Sequence, residues 1–209
     1  MQPSGAEPGL LVSKRAFDWV MASLGLAVLS PVLLLIALAI KLDSPGPVFF
    51  RQERVGRHGR LFRIHKFRTM RHDPSGTGLQ ITVGADARIT RVGAFLRASK
   101  LDELPQLIDV WRGVMSLVGP RPEVPRYVAA YPADLRDKVL SVRPGITDLA
   151  SITYRDEAAV LARAADPERA YIDEVLPHKL RLAAQYVDEA SLGKDIGLIM
   201  RTIWAIVRR

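Results

Sequence analysis

The chain has 209 residues, 48% of them hydrophobic, 25% charged and 7% aromatic, which fits one globular domain with a small extension and excludes a disordered tail protein. It has no cysteine, so a disulfide scaffold, a Cys-based zinc site, an iron–sulfur cluster and a thiol nucleophile are excluded; histidines at 58, 65, 72 and 178, three of them inside an arginine-rich stretch, argue against a histidine metal cage. The formal charge of +8 lies in residues 41–101, where thirteen bases face four acids, and such a field attracts nucleic acid, anionic lipid headgroups or a nucleotide diphosphate.

Residues 1–13 read as an N-terminal tail. Residues 19–40 form an uncharged run of twenty-two, long enough as a helix to cross a bilayer core, so residues 14–42 are expected to form a membrane helix. No small-residue cleavage motif follows Ile40, and the segment is expected to stay in the mature chain. Pro31, preceded by Ser30, removes a helical hydrogen bond near the middle of the run and predicts a kink there. Lys14 and Arg15 on one side and Lys41 on the other pull both ends toward the cytoplasm. Two arrangements meet these demands: a helix that turns at Ser30-Pro31 and leaves by the face it entered, and a straight spanning helix with a tolerated proline.

Residues 43–209 read as the soluble domain. Ser44-Pro-Gly-Pro47 breaks the helical pattern, residues 48–55 and 61–70 alternate as strands, and Gly56-Arg-His-Gly59 between them predicts a β-hairpin. Arg51, Arg54, Arg57, Arg60, Arg63 and Lys66 recur every third residue and predict a basic surface over both strands and the turn. Phe62 and Phe67, on alternating strand positions, read as core residues rather than a stacking platform for bases. Residues 71–85 read as loop, and 87–97 as a helix with Ile89, Val92, Phe95 and Leu96 on one face. Ser99-Lys-Leu-Asp102 resembles a capping box; with Pro105 suited only to a first turn, the next helix is expected to start between Ser99 and Asp102, bury Leu104, Leu107, Ile108 and Trp111, and end at Arg112-Gly113. Residues 118–125 carry three prolines and predict a rigid loop presenting Arg121. Helical patterns follow at 126–140, 156–164 and 168–190. The last, 192–207, is amphipathic and fits either the headgroup plane or an ordinary packed surface helix.

Asp102 and Glu103 stand at a helix start, close to Arg97 and Lys100 and upstream of Arg121. A carboxylate there stays ionised, and beside a divalent cation and arginines it can attack phosphorus once the phosphoryl charge is neutralised. Its neighbour is then a natural ligand for magnesium, which takes hard oxygen donors. Lys66, Arg68 and Arg121 read as phosphate clamps, with a solvated or headgroup-facing cationic surface as the plainer reading of Lys66 and Arg68.

Several strings in order, Lys14-Arg-x-Phe-Asp18, Ser30-Pro31, Gly46-Pro-Val-Phe-Phe-Arg-Gln52, Arg54-Val-Gly56, Lys66-Phe-Arg-Thr-Met70, Lys100-Leu-Asp-Glu-Leu-Pro-Gln106, Ser116-Leu-Val-Gly-Pro-Arg-Pro122 and Arg143-Pro-Gly-Ile-Thr147, resemble the bacterial sugar transferase family, the monotopic phosphoglycosyl transferases. The resemblance runs from about Val12 to the C-terminus. It implies transfer of a phosphosugar from a UDP-sugar to polyprenyl (undecaprenyl) phosphate, with release of UMP, at the cytoplasmic face of the bacterial inner membrane. By the same resemblance Asp102 is the nucleophile, Glu103 (with Asp102) a Mg2+ ligand, and Arg121, Lys66, Arg68, Arg97 and Lys100 bind substrate. It implies a re-entrant helix broken at Ser30-Pro31. The implied fold is a compact, mostly helical α+β domain with a small β-hairpin, held to membrane lipids by that helix and by amphipathic interfacial helices, of the short single-domain form. No nucleic-acid partner is implied, and a homodimer is allowed. Family members often have Gly after Pro-Gly-Ile-Thr, where this chain has Asp148, so the shape of that loop is open. Sugar specificity is expected in the loops at 71–85 and 148–168. A membrane-tethered nucleic-acid-binding module and a non-catalytic scaffold would each explain the basic region, but neither needs Asp102, Glu103 or the Pro-Arg-Pro loop.

Overall fold

In apolar surroundings an uncharged run can satisfy its backbone only within itself, and the computed structural model forms it into α1, Pro8–Asp43. The structure describes residues 8–71, 86–154 and 157–208; most of the loop expected at 71–85, and two residues of that at 148–168, lie outside them. Pro31 sits inside α1, and Ser30 Oγ donates to the Ala27 carbonyl at 2.8 Å. Trp19, Val20, Leu24, Val28, Leu34, Leu35 and Leu38 are exposed along the helix. Its buried residues fall in both halves: Ala22 packs with Ile64, Val110 and Met115, and Ile36 and Ile40 pack with Phe67 and Leu96.

The expected hairpin forms from β1, Phe49–Val55, and β2, Leu61–Phe67, antiparallel with Phe49 opposite Phe67 and Val55 opposite Leu61. Residues directly opposite share a face. Arg54 and Lys66 therefore stand on one face of the hairpin and Arg51 and Arg63 on the other, so the threefold recurrence of bases is not one continuous surface. Phe67 is buried and Phe62 packs partly against the core, as expected, but from opposite faces of the hairpin and in different clusters.

The next helix, α2, spans Arg91–Ser99, starting four residues later than the pattern suggested because Thr90 is its cap, with the side chain accepting from the Gly93 N–H. Ile89 instead bridges to Met70. Gly93 is required by a close approach: a Cβ there would lie 2.0 Å from the Thr69 carbonyl oxygen. After α3, Gln106–Arg112, come two three-residue strands that the sequence reading missed, β3 (Ser116–Val118) and β4 (Gly145–Thr147), paired in parallel. They meet because Gly119 and Gly145 touch; a Cβ on Gly145 would stand 2.1 Å from the Gly119 nitrogen.

The helix expected at 126–140 is two, α4 (Pro125–Val128) and α5 (Ala133–Val139), since Pro132 between them has no N–H to continue the first. The segments α6 (Leu149–Thr153), α7 (Glu157–Leu161) and α8 (Pro167–Ala170) lead into a π-helical turn, Tyr171–Val175, and then α9, Leu176–Glu189. Val124, Tyr127, Val128, Val139, Tyr171, Val175, Leu176 and Leu180 form the main core with Val55. The final helix, α10 (Leu192–Val207), packs on the domain with Asp195 and Leu198 buried and leaves Ile196, Met200, Ile203 and Trp204 exposed. The domain is thus α+β and mostly helical, with one long apolar helix.

Candidate active site

Between α2 and α3 the chain must reverse without losing helical hydrogen bonds. Ser99 ends α2 by donating to the Phe95 carbonyl at 2.8 Å, so it does not open a capping box. Lys100 then takes a left-handed conformation (φ 59°), Leu101–Glu103 forms a 3₁₀ turn, and Pro105 stands as the cap of α3. This places Asp102 and Glu103 on a 3₁₀ turn ahead of α3, which starts at Gln106 and not between Ser99 and Asp102 as expected, because Pro105 serves as its cap.

Glu103 is gripped by two cations from distant parts of the chain. Arg121 presents its fork, with Nη2 at 2.5 Å from Oε1 and Nη1 at 3.2 Å from Oε2, and Lys66 Nζ donates to Oε1 at 3.0 Å. Burial would raise the Glu103 carboxyl, but Arg121 and then Lys66 overcome it and hold the group well below the usual carboxylate range. Asp102 is shifted the other way: burial raises it, against the pull of Lys66, Lys100 and Arg97. Burial likewise lowers the Lys66 ammonium, with Glu103 opposing. Two adjacent carboxylates are thereby made chemically different, one paired with two cations, the other held less acidic with its Oδ1 buried and without a hydrogen-bond partner among the described residues.

The loop that carries Arg121 is fixed at nearly every backbone group. The Gly119 N–H donates to the Thr147 carbonyl at 3.1 Å, the Pro120 carbonyl accepts from Gly145 at 3.0 Å, the Pro122 carbonyl accepts from Arg54 Nη1 at 3.0 Å, and the Glu123 carbonyl accepts from Val55 at 2.9 Å. Asp148 completes the set. Its Oδ1 accepts the Ser151 N–H at 2.7 Å, capping α6, and its Oδ2 accepts the Arg121 N–H at 3.2 Å, so the residue in the frequent glycine position buttresses Arg121.

Of the sequence-predicted residues, the structure brings Asp102, Glu103, Lys66 and Arg121 together, with Arg97 and Lys100 near enough to act on Asp102. Arg68 goes elsewhere. It is buried against the end of α1, donating to the carbonyls of Ile40 (3.3 Å), Ser44 (2.6 Å) and Pro45 (2.5 Å); β2 ends at Phe67, so Arg68 lies past the strand whose alternation aims Lys66. Asp148, Arg54 and Glu123 were not singled out as site residues. The signal for two of them was present: Arg54 opens one of the quoted strings and Glu123 follows directly on Pro-Arg-Pro. A buried His65–Asp109 pair, Nδ1 to Oδ1 at 2.7 Å, braces β2 against α3 behind Lys66.

Among the described residues no group of three or more His, Cys, Asp or Glu side chains is arranged to hold a metal. Two carboxylates and a diphosphate are nonetheless a donor set that suits magnesium, which is commonly bound through one or two carboxylates plus substrate phosphates. The unpartnered Asp102 Oδ1 fits such an ion as the site stands, and Glu103, whose Oε1 accepts from Arg121 and Lys66, could offer only Oε2, which already accepts from Arg121.

Residues 10–209 match the family model described as bacterial sugar transferase. The UDP-glucose:undecaprenyl-phosphate glucose-1-phosphate transferase of Caulobacter vibrioides is 39% identical over 97% of this chain and 73% of its own length. The protein of the same name in Escherichia coli is 39% identical over 91% of this chain. The UDP-N-acetylgalactosamine-undecaprenyl-phosphate N-acetylgalactosaminephosphotransferase of Aeromonas hydrophila is 37% identical over 93%. The matched regions are 39% and 43% of the lengths of these last two, so the chain spans less than half of each.

Proposed function

The chain belongs to the bacterial sugar transferase family, and from that premise we propose that it moves a sugar 1-phosphate from a UDP-sugar to undecaprenyl phosphate, releasing UMP and forming the polyprenyl diphosphate sugar. The observation that carries the reading is the division of labour between Asp102 and Glu103. An Asp102 oxygen attacks the β-phosphorus, the bond from that phosphorus to the oxygen bridging the α-phosphate breaks, and UMP leaves with the electron pair. A phosphate oxygen of the acceptor then attacks the same phosphorus, and Asp102 departs as the carboxylate. Arg121 exchanges part of its grip on Glu103 for the donor's phosphate oxygens, for which its fork is equally suited. Asp102 and Glu103 would hold magnesium together with the diphosphate, and the ion would supply charge neutralisation at phosphorus. Using one carboxylate twice lets a single site meet two anions in turn instead of holding them together.

The re-entrant reading of α1 is supported by its ends. Near the start, Lys14 bonds the Val118 carbonyl and Asp195, and Arg15 bonds the carbonyls of Val110 and Trp111; at the far end Arg68 binds Ile40, Ser44 and Pro45. A helix of 36 residues, about 54 Å long if straight, that is tied at both ends to one domain favours leaving by the face it entered over spanning. The domain then rests on the cytoplasmic face, with the exposed apolar edge of α10 in the interface.

The nucleic-acid alternative loses its main support. Arg54, Arg57, Lys66 and Arg68 bond inside the protein, to Pro122, Ser141, Glu103 and the end of α1, so much of the basic excess is internal. The test is UMP release by detergent-solubilised protein with magnesium, a panel of UDP-sugars and undecaprenyl phosphate. The wild type is expected to turn over only with acceptor, giving at most one UMP per chain without it, and Asp102→Asn is expected to release none. Release surviving in that variant removes Asp102 as nucleophile.

A further inference from the structure

Behind the Arg121 loop lies a buried set of charged and phenolic side chains that the transfer chemistry does not use. Glu123 is 9% exposed, Lys179 8% and Tyr171 2%. Glu123 Oε1 accepts the Tyr171 hydroxyl at 2.5 Å and lies 3.7 Å from Lys179 Nζ; its Oε2 lies 3.6 Å from Arg54 Nη1, the same nitrogen that donates to the Pro122 carbonyl. Lys179 continues the chain of charges to Glu157 at 2.7 Å. The set thus draws on β1, the loop after β3, α7, the π-helical turn and α9. Burying paired charges does little for stability, since desolvation consumes most of the attraction, and apolar residues of the same volume serve a core equally well. What this set does that apolar side chains cannot is orient. It holds the Arg54 guanidinium, which holds the Pro122 carbonyl, one residue from Arg121.

We propose that Glu123 is a positioning residue for phosphosugar transfer: through Arg54 and the Pro122 carbonyl it sets where the Arg121 guanidinium stands relative to Glu103 and the donor diphosphate, and through Tyr171 and Lys179 it couples the site to α9. The proposal rests on the transferase reading above. Arg121 is aimed from two sides, by Asp148 at its N–H and by Arg54 at the following carbonyl, and Glu123 is the anchor of the second. Displacing a phosphate-binding fork by an ångström is enough to cost one to two orders of magnitude in rate.

The experiment is a double-mutant cycle on UMP release with undecaprenyl phosphate, using Glu123→Gln, Arg121→Lys and the pair. Glu123→Gln is expected to lower kcat about 10- to 100-fold, to leave the KM for the lipid acceptor unchanged, and to add almost nothing in the Arg121→Lys background, because both act through one guanidinium. Arg54→Met, which removes the nitrogen that joins Glu123 to the Pro122 carbonyl, is read the same way if Glu123→Gln fails to fold. Effects that multiply, a wild-type rate in Glu123→Gln, or a loss that simply follows the fraction unfolded would overturn the proposal. A wild type that releases no UMP from any donor overturns the transferase reading itself; an active wild type with multiplying effects overturns only the role of Glu123.

Discussion

Asp102 and Glu103 differ by one position in sequence and are driven apart in acidity by what surrounds them. Glu103 meets Arg121 and Lys66, which more than offset its burial; Asp102 meets burial first and the lysines and Arg97 at a distance. Lys66 acts on both and is therefore the informative residue. Removing its charge in Lys66→Met takes away the strongest influence that lowers the Asp102 carboxyl, so that group rises further. A nucleophile must be ionised, and the acid limb of kcat/KM is expected to move to higher pH in Lys66→Met, read from a pH–rate profile of UMP release. An unmoved limb would mean that the group governing it is not Asp102. The proximity of Asp102 and Glu103 to a helix start was readable from Pro105 and Gly113. Their pairing with Lys66 and Arg121 was not, because those residues approach from β2 and from the loop after β3. Asp148 shows the same limit: as a residue type it suggested only an altered loop, and its bond to the Arg121 N–H exists because β3 and β4 lie side by side.

At the scale of elements, α1 is joined to the domain by a buried ion pair. Lys14 meets Asp195 of α10, which also accepts the Tyr186 hydroxyl at 2.7 Å, and Asp195 is 1% exposed. Lys14→Met would leave that carboxylate buried without its cation, at a cost of about 3 kcal/mol or more. A clear fall in Tm in detergent is expected, most of it returned by adding Asp195→Leu; a Tm unchanged in Lys14→Met would show that the pair holds nothing. Pattern reading served the elements that carry their own periodicity. The hairpin, α2, α3 and α10 were anticipated, with the starts of α2 and α3 both placed too early, because Thr90 and Pro105 are their caps. It failed where three residues suffice: β3 and β4 are too short to show alternation, and parallel pairing joins segments that the intervening α4 and α5 hold apart in sequence.

For the whole molecule the question is how a domain with so long an apolar helix meets a bilayer. Both ends of α1 are bound to the same body, and its exposed residues lie between them. The chain has no cysteine, so single substitutions are clean probes. Val12→Cys and Leu42→Cys, both exposed, are expected to react with an impermeant maleimide from the cytoplasmic side of inverted vesicles, and neither from the outside of intact cells. Labelling of the two from opposite sides would restore the straight spanning helix.

The long apolar helix, the hairpin, the turn before α3 that bears Asp102 and Glu103, and the rigid loop presenting Arg121 were legible in the sequence, because each follows from local chemistry: length of an uncharged run, alternation, proline and glycine. Only the tertiary structure decided which bases belong to the site. Lys66 and Arg68 stand two residues apart, yet one meets Glu103 and the other closes the end of α1. β2 ends between them at Phe67, so alternation no longer governs Arg68, and the partners each cation meets come from elements that sequence distance does not relate.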